Sequence, residues 1–146
     1  MKTRMTVMTI IACLLMATGC KDGREIPYHK LPAKAQNFIE TFFPDESDIY
    51  AERERNDGHK EFEVRLSGGI EIEFDHNGEW KSVDCSFSTV PEGIVPQKIA
   101  DDIAVRYPGV GIYKAERKPG GYQISTGNGL ELFYSADGTF VRAERD

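Results

Sequence analysis

The sequence predicts an α+β fold: a tandem repeat of one helix plus a four-stranded antiparallel sheet. The two copies are expected to join edge to edge into one two-layer unit, a continuous sheet of about eight strands with both helices on one face. Three observations predict this. Residues 69–80, Gly-Ile-Glu-Ile-Glu-Phe-Asp-His-Asn-Gly-Glu-Trp, recur 60 positions later as Gly129 to Phe140. Ile70, Ile72 and Phe74 alternate with Glu71, Glu73 and Asp75, which gives a strand one apolar and one wet face. Each such strand follows a proline-bounded stretch with helical spacing of apolar residues.

The elements follow in order. Leu31-Pro32 opens a helix, because proline suits the first turn, where its missing N–H costs nothing. Ala35, Phe38, Ile39 and Phe42 form an amphipathic stripe. Phe43-Pro44 ends it, since a residue before proline disfavours the α region. Val95-Pro96, then Ile99, Ile103 and Tyr107, then Tyr107-Pro108 repeat the device. A strand at Ala51-Glu52-Arg53 matches one at Ala115-Glu116-Arg117, and Phe62-Glu63-Val64 matches Tyr122-Gln123-Ile124. Glu52 and Arg53 point to opposite faces and cannot pair directly. Asn77-Gly78 and Asp137-Gly138 tolerate the positive φ of hairpin turns. A three-residue loop closed by a bulge sets Phe74 opposite Trp80 and Tyr134 opposite Phe140. The divisions expected are a signal at 1–19, a tether at 20–30, repeats at 31–87 and 94–146, and a joint at 88–93 with Pro91 and Gly93. Each copy alone is too small to be more than marginally stable, so one cooperative unit is expected.

The first 19 residues read as an export signal: Lys2 and Arg4, an apolar run from Met8 to Met16, then Ala17-Thr18-Gly19 before Cys20. That run is too short to span a membrane. Cys20 after small residues resembles the lipobox of bacterial lipoproteins, which implies lipidation at Cys20. Ala17 stands where leucine is usual, and ordinary signal cleavage is the alternative. The expected location is the periplasm or outer membrane, with the membrane reached through the lipid alone. Without Lys2 and Arg4 the chain has 16 basic against 24 acidic residues, a formal charge of −8. So acidic a chain is a poor fit to nucleic acid or anionic lipid. Cys85 alone remains in the folded part, which argues against an intrachain disulfide and a cysteine zinc site.

The proline-started helices ending in Phe43-Pro44 and Tyr107-Pro108, the two Ala-Glu-Arg strands and the two hairpins ending in Trp80 and Phe140 together resemble the PepSY-like, β-lactamase-inhibitor-like family. The resemblance covers residues 30–146. It implies a small exported or lipid-anchored protein of a family without known enzymatic activity. Related inhibitor proteins bind an enzyme on the exposed face of a tandem sheet, and PepSY domains in protease propeptides have a proposed inhibitory role. The family has no catalytic motif to carry over.

No nucleophile elbow, phosphate loop or His-Glu-x-x-His is present. Ser125 to Gly129 is glycine-rich but lacks the lysine and following helix of a phosphate site, so it reads as a hairpin loop. No cofactor, metal or catalytic residue is expected. Asp57, His59, Asp75 and His76 sit in two loops that could approach, with too few ligands of defined spacing for a metal. A small hydrolase would have to use His76 with Glu71 and Glu73. The expected binding residues are Glu71, Glu73, Glu131 and Phe133, on the face away from the helices with Glu61, Glu63 and Arg65. Phe133 is the oddity there, an aromatic where the first copy has Glu73. A non-catalytic module that binds or inhibits a protein or peptide of the cell envelope is the expected function. A structural envelope protein without a dedicated ligand is the alternative.

Overall fold

The computed structural model describes residues 23–56 and 58–146. In chain order the elements are β1 (Arg24–Ile26), α1 (Ala33–Phe42), β2 (Tyr50–Asn56), β3 (His59–Leu66), β4 (Ile70–Phe74), β5 (Trp80–Cys85), α2 (Gln97–Arg106), β6 (Ile112–Lys118), β7 (Gly121–Thr126), β8 (Leu130–Ser135) and β9 (Phe140–Arg145). The nine strands pair antiparallel, each with its neighbours in sequence.

This corrects the expected fold class. The molecule is not a tandem of helix plus four-stranded sheet; its described residues form one nine-stranded antiparallel sheet with two α-helices, and are mostly sheet. Two pairings explain the difference. Arg24–Ile26, expected in the tether, pairs with β2 as Arg24↔Arg53, Glu25↔Glu52 and Ile26↔Ala51. An edge strand can be polar, because only part of it is covered. At the centre β5 pairs with β6 through Ser82↔Glu116, Val83↔Ala115 and Asp84↔Lys114. The ladder therefore runs through the midpoint of the chain, and no sheet boundary is left there to define two units.

Both helices lie on one face. Pro32 and Pro96 precede their first residues at φ −53 and −50, and the chain leaves the helical region at Phe43 (φ −134) and Tyr107 (φ −133), each just before a proline. Ala35 and Ile39 of α1, and Ile99 and Ile103 of α2, are buried. They meet Val64, Ile72, Phe74, Val83, Ala115, Ile124 and Leu132 in a single apolar cluster. Phe38 packs edge-on to Phe74 with ring centroids 5.6 Å apart. The Tyr134 hydroxyl donates to Asp102 Oδ2 of α2 at 2.8 Å.

The β4–β5 turn is bound to α1. Asp75 Oδ1 accepts from the N–H groups of Asn77 (2.8 Å) and Glu79 (3.0 Å). Gly78 sits at φ +84, and a Cβ there would lie 2.8 Å from Pro32 Cβ. Only glycine tolerates both that φ and that approach. The register shifts between Glu73 and Phe74, leaving Phe74 opposite Trp80; the β8–β9 turn likewise leaves Tyr134 opposite Phe140.

Candidate functional site

Among the described residues, no element covers the sheet face away from the helices. Side chains there stand in rows across the strands. One row runs Glu25, Glu52, Glu63 and Glu73, then Ser82, Glu116, Gln123, Phe133 and Arg142. The next runs Tyr50, Arg65, Glu71, Asp84 and Lys114, then Ser125, Glu131 and Glu144. The four expected binding residues all lie on this face, but not in one place. Glu71 and Glu73 are on β4; Glu131 and Phe133 are on β8. Four strand spacings, about 19 Å, separate the pairs.

The β2–β4 part is acidic. Glu52, Glu63 and Glu73 stand directly opposite one another, an arrangement that destabilises a sheet unless cations intervene. Arg65 is the cation among them. Its guanidinium meets Glu63, lies 3.5 Å from Glu71 and reaches Glu52 at 4.0 Å. Partial burial works against its charge, but the carboxylates Glu63, Glu52 and Glu71 outweigh this and hold its pKa above the usual value. The Tyr50 hydroxyl donates to Glu52 Oε1 at 2.6 Å, and Lys81 Nζ donates to Glu61 Oε1 at 2.6 Å. Glu52, Glu54, Glu63, Glu71 and Glu73 line a concavity of about 380 Å³ around Arg65. Carboxylate oxygens of Glu52, Glu54 and Glu63 all lie within 4.8 Å of one another.

The β8–β9 part is different. Phe133 is half-buried, with the Arg142 guanidinium carbon 3.8 Å from its ring centroid. Arg142 Nε in turn donates to Glu144 Oε1 at 2.7 Å. A groove of about 230 Å³ runs beside them, lined by Gly121, Ser135 and Val141 among others. Phe133 is thus an aromatic platform roofed by a cation.

Sequence reasoning missed Glu52, Glu54 and Arg142. The signal for the first two is the period of two in Tyr50, Glu52 and Glu54, which sets them on the same face as Glu63. Arg142 reaches Phe133 only through the β8–β9 bulge. Of the two loops that hold Asp57, His59, Asp75 and His76, the rings of His59 and His76 come within 6.2 Å of each other. Asp75 is spent on its own turn, and Asp57 lies outside the described residues. Cys20 also lies outside them. Burial pushes the Cys85 thiol up to about 11, the opposite of what a nucleophilic thiolate needs.

The model of the family described as "Putative beta-lactamase-inhibitor-like, PepSY-like" matches residues 16–69 and 60–142 of this chain. A "putative periplasmic protein" of the DUF2874 family from Bacteroides vulgatus is 32% identical over 87% of this chain and 100% of its own, with a TM-score of 0.83. A protein from Bacteroides thetaiotaomicron, described as a "putative calcium-regulated periplasmic protein", is 30% identical over the same shares, 87% and 100%, with a TM-score of 0.83. A second Bacteroides vulgatus structure, of a "putative periplasmic protein of unknown function", is 31% identical over 84% of this chain and 98% of its own, with a TM-score of 0.80. No curated protein matches the chain.

Proposed function

Because the chain belongs to the PepSY-like, beta-lactamase-inhibitor-like family, we propose that it is an exported, non-catalytic binding module that holds a protein or peptide partner on the open face of its sheet. One observation carries the reading: a helix-free face offers acidic groups on β2–β4 and the Phe133–Arg142 platform on β8–β9. A broad face of this kind suits a macromolecule better than a small molecule, which favours a concave apolar pocket. The excess of carboxylates favours a partner with a basic surface, through steering and complementarity. Phe133 supplies the aromatic anchor, and Glu131, Glu71 and Glu73 the polar surround.

The test is capture from the native cell envelope with four baits: wild type, Phe133→Ser, Glu131→Lys and Val105→Ser. Val105 is exposed on α2, away from the sheet face. Wild type and Val105→Ser should retain one stoichiometric partner, and Phe133→Ser should weaken it by roughly thirtyfold, the size of a hot-spot truncation. Equal retention by all four baits refutes the open face as the site. The absence of any stoichiometric partner favours a structural envelope role.

The same reading places the protein in the periplasm or at the outer membrane, anchored by lipid at Cys20. Fatty-acid label should enter wild type and not Cys20→Ser; equal labelling sinks the anchor.

A second reading rests on the Glu52, Glu54 and Glu63 cluster together with the description of the Bacteroides thetaiotaomicron relative as calcium-regulated. Calcium takes six to eight oxygens at about 2.3–2.6 Å, so three carboxylate oxygens with that spacing fit as part of its shell. Arg65 would have to give up Glu63 to admit it. Calcium titration should then raise the melting temperature of wild type but not of Glu54→Gln, and no shift in wild type refutes this reading.

A further inference from the structure

We propose that the outer edge of β9 is a self-association surface, on which a second copy of this chain lays its own β9 antiparallel to form a two-fold dimer. The surface is the backbone edge of the sheet; Arg142 and Glu144, which stand beside it on the open face, set its register, and the proposal does not depend on that reading. Among the described residues, β9 pairs with β8 on one side and with no strand on the other. The opposite edge, β1, is only three residues long and offers a much shorter ladder. Every residue from Val141 to Arg145 is exposed.

The direction of the free backbone groups follows from one hydrogen bond. Asp146 N–H donates to Gly129 C=O at 3.0 Å, so residue 146 turns its backbone groups toward β8. Backbone groups alternate along an antiparallel strand. Glu144 and Arg142 therefore also face β8, as their pairing with Glu131 and Phe133 requires. Ala143 and Arg145 turn their N–H and C=O groups outward, unmatched by any strand among the described residues. An edge of this kind is a template for strand addition.

The charges then choose the register. With Ala143 on the two-fold axis, Arg142 of each copy stands opposite Glu144 of the other, twice. A register centred on Arg142 would set arginine against arginine, and one centred on Glu144 would set glutamate against glutamate. Charges on an edge usually block pairing; here they oppose the neighbouring two-fold registers and favour one. That one also answers an unfavourable pair within the chain. Glu144 stands directly opposite Glu131, and the second copy brings an arginine to its other side.

Sedimentation velocity of the full chain across a concentration series tests this. Wild type should reach dimer mass as concentration rises. Arg142→Glu should raise the dimer Kd by roughly tenfold or more, since it sets like charges opposite each other twice. The double variant Arg142→Glu/Glu144→Arg should recover dimerisation, because the exchange restores both pairs. Ala143→Pro should be monomeric with an unchanged circular dichroism spectrum, because it removes an N–H that β8 does not use; if it fails to fold, the charge exchange decides alone. A wild type that stays monomeric, a folded Ala143→Pro that dimerises like wild type, or a double variant that does not recover would each overturn the proposal.

Discussion

Tyr134 shows how much of a residue's role lies in its sequence pattern and how much in tertiary distance. Its place in the alternation Leu130, Leu132, Tyr134 predicts the helix-covered face, and it is buried there. Its partner was not legible. Asp102 lies on α2, 32 positions away, and only the packing of that helix over β8 brings them together. Asp102 also accepts from Arg106 Nε and Nη2, each at 3.0 Å, and the Arg106 guanidinium covers the Phe140 ring at 3.8 Å. The bond with Arg106 first, then that with Tyr134, holds the Asp102 carboxyl below the usual range against the opposing pull of burial. Burial first, then Asp102, raises the Tyr134 phenol above its ordinary value of 10.0. The sign follows. Below pH 10 the tyrosine keeps its proton in both states, and its contribution is fully present. Above pH 10 the unfolded chain ionises while the folded one does not, so stability falls. Tyr134→Phe should therefore cost about 1.5–3 kcal/mol at pH 7, as for hydrogen bonds to charged groups. By pH 11 its gap from wild type in urea unfolding should narrow. A gap that holds or widens at pH 11 would show that the phenol is not protected as described.

At the scale of elements, legibility followed how local the cause was. Both helices were readable to within a residue or two, because proline sets their starts and the residue before proline sets their ends. The hairpins were readable because their glycines and bulges are local chemistry. The face of each expected site residue was readable from the period of two, which is why Glu71, Glu73, Glu131 and Phe133 all lie on the open side. The joining of the copies edge to edge was expected, but not the strands that make the join, nor the extra strand before α1. Arg24-Glu25-Ile26 has no periodicity of its own, and it is a strand only because β2 offers it an edge. The β5–β6 ladder joins residues 30 to 34 positions apart, and no local signal in Ser82, Val83 or Ala115 announces it. The distance between the Glu71/Glu73 and Glu131/Phe133 pairs is a consequence of the strand order. Four intervening steps turn one expected patch into two, one rich in carboxylates and one aromatic.

The continuous sheet makes a prediction about the molecule as a whole. If the halves were separate units, each would have its own core, and one could melt while the other stood. Instead one apolar cluster takes in Ala35 and Ile39 of α1, Ile99 and Ile103 of α2, and strand residues from Ala51 to Tyr134. Val83 sits at the seam, fully buried, between Ile72 on β4 and Ala115 on β6. Opening the seam exposes apolar surface on both sides and two strand edges, so neither half gains by parting from the other. Unfolding should therefore be one transition. Trp80, the one tryptophan of the chain, reports on β5, while far-UV circular dichroism reports on all nine strands; the two curves in urea should coincide. Native-state hydrogen exchange should give the amides of Ile72 and Ile124, one in each half, the same opening free energy. Val83→Ala leaves a cavity at the seam and should lower stability by about 2 kcal/mol, with both probes moving together. A Trp80 curve that separates from the dichroism curve, or Ile124 protection that survives when Ile72 protection is lost, would mean that the β5–β6 ladder joins the halves without coupling them.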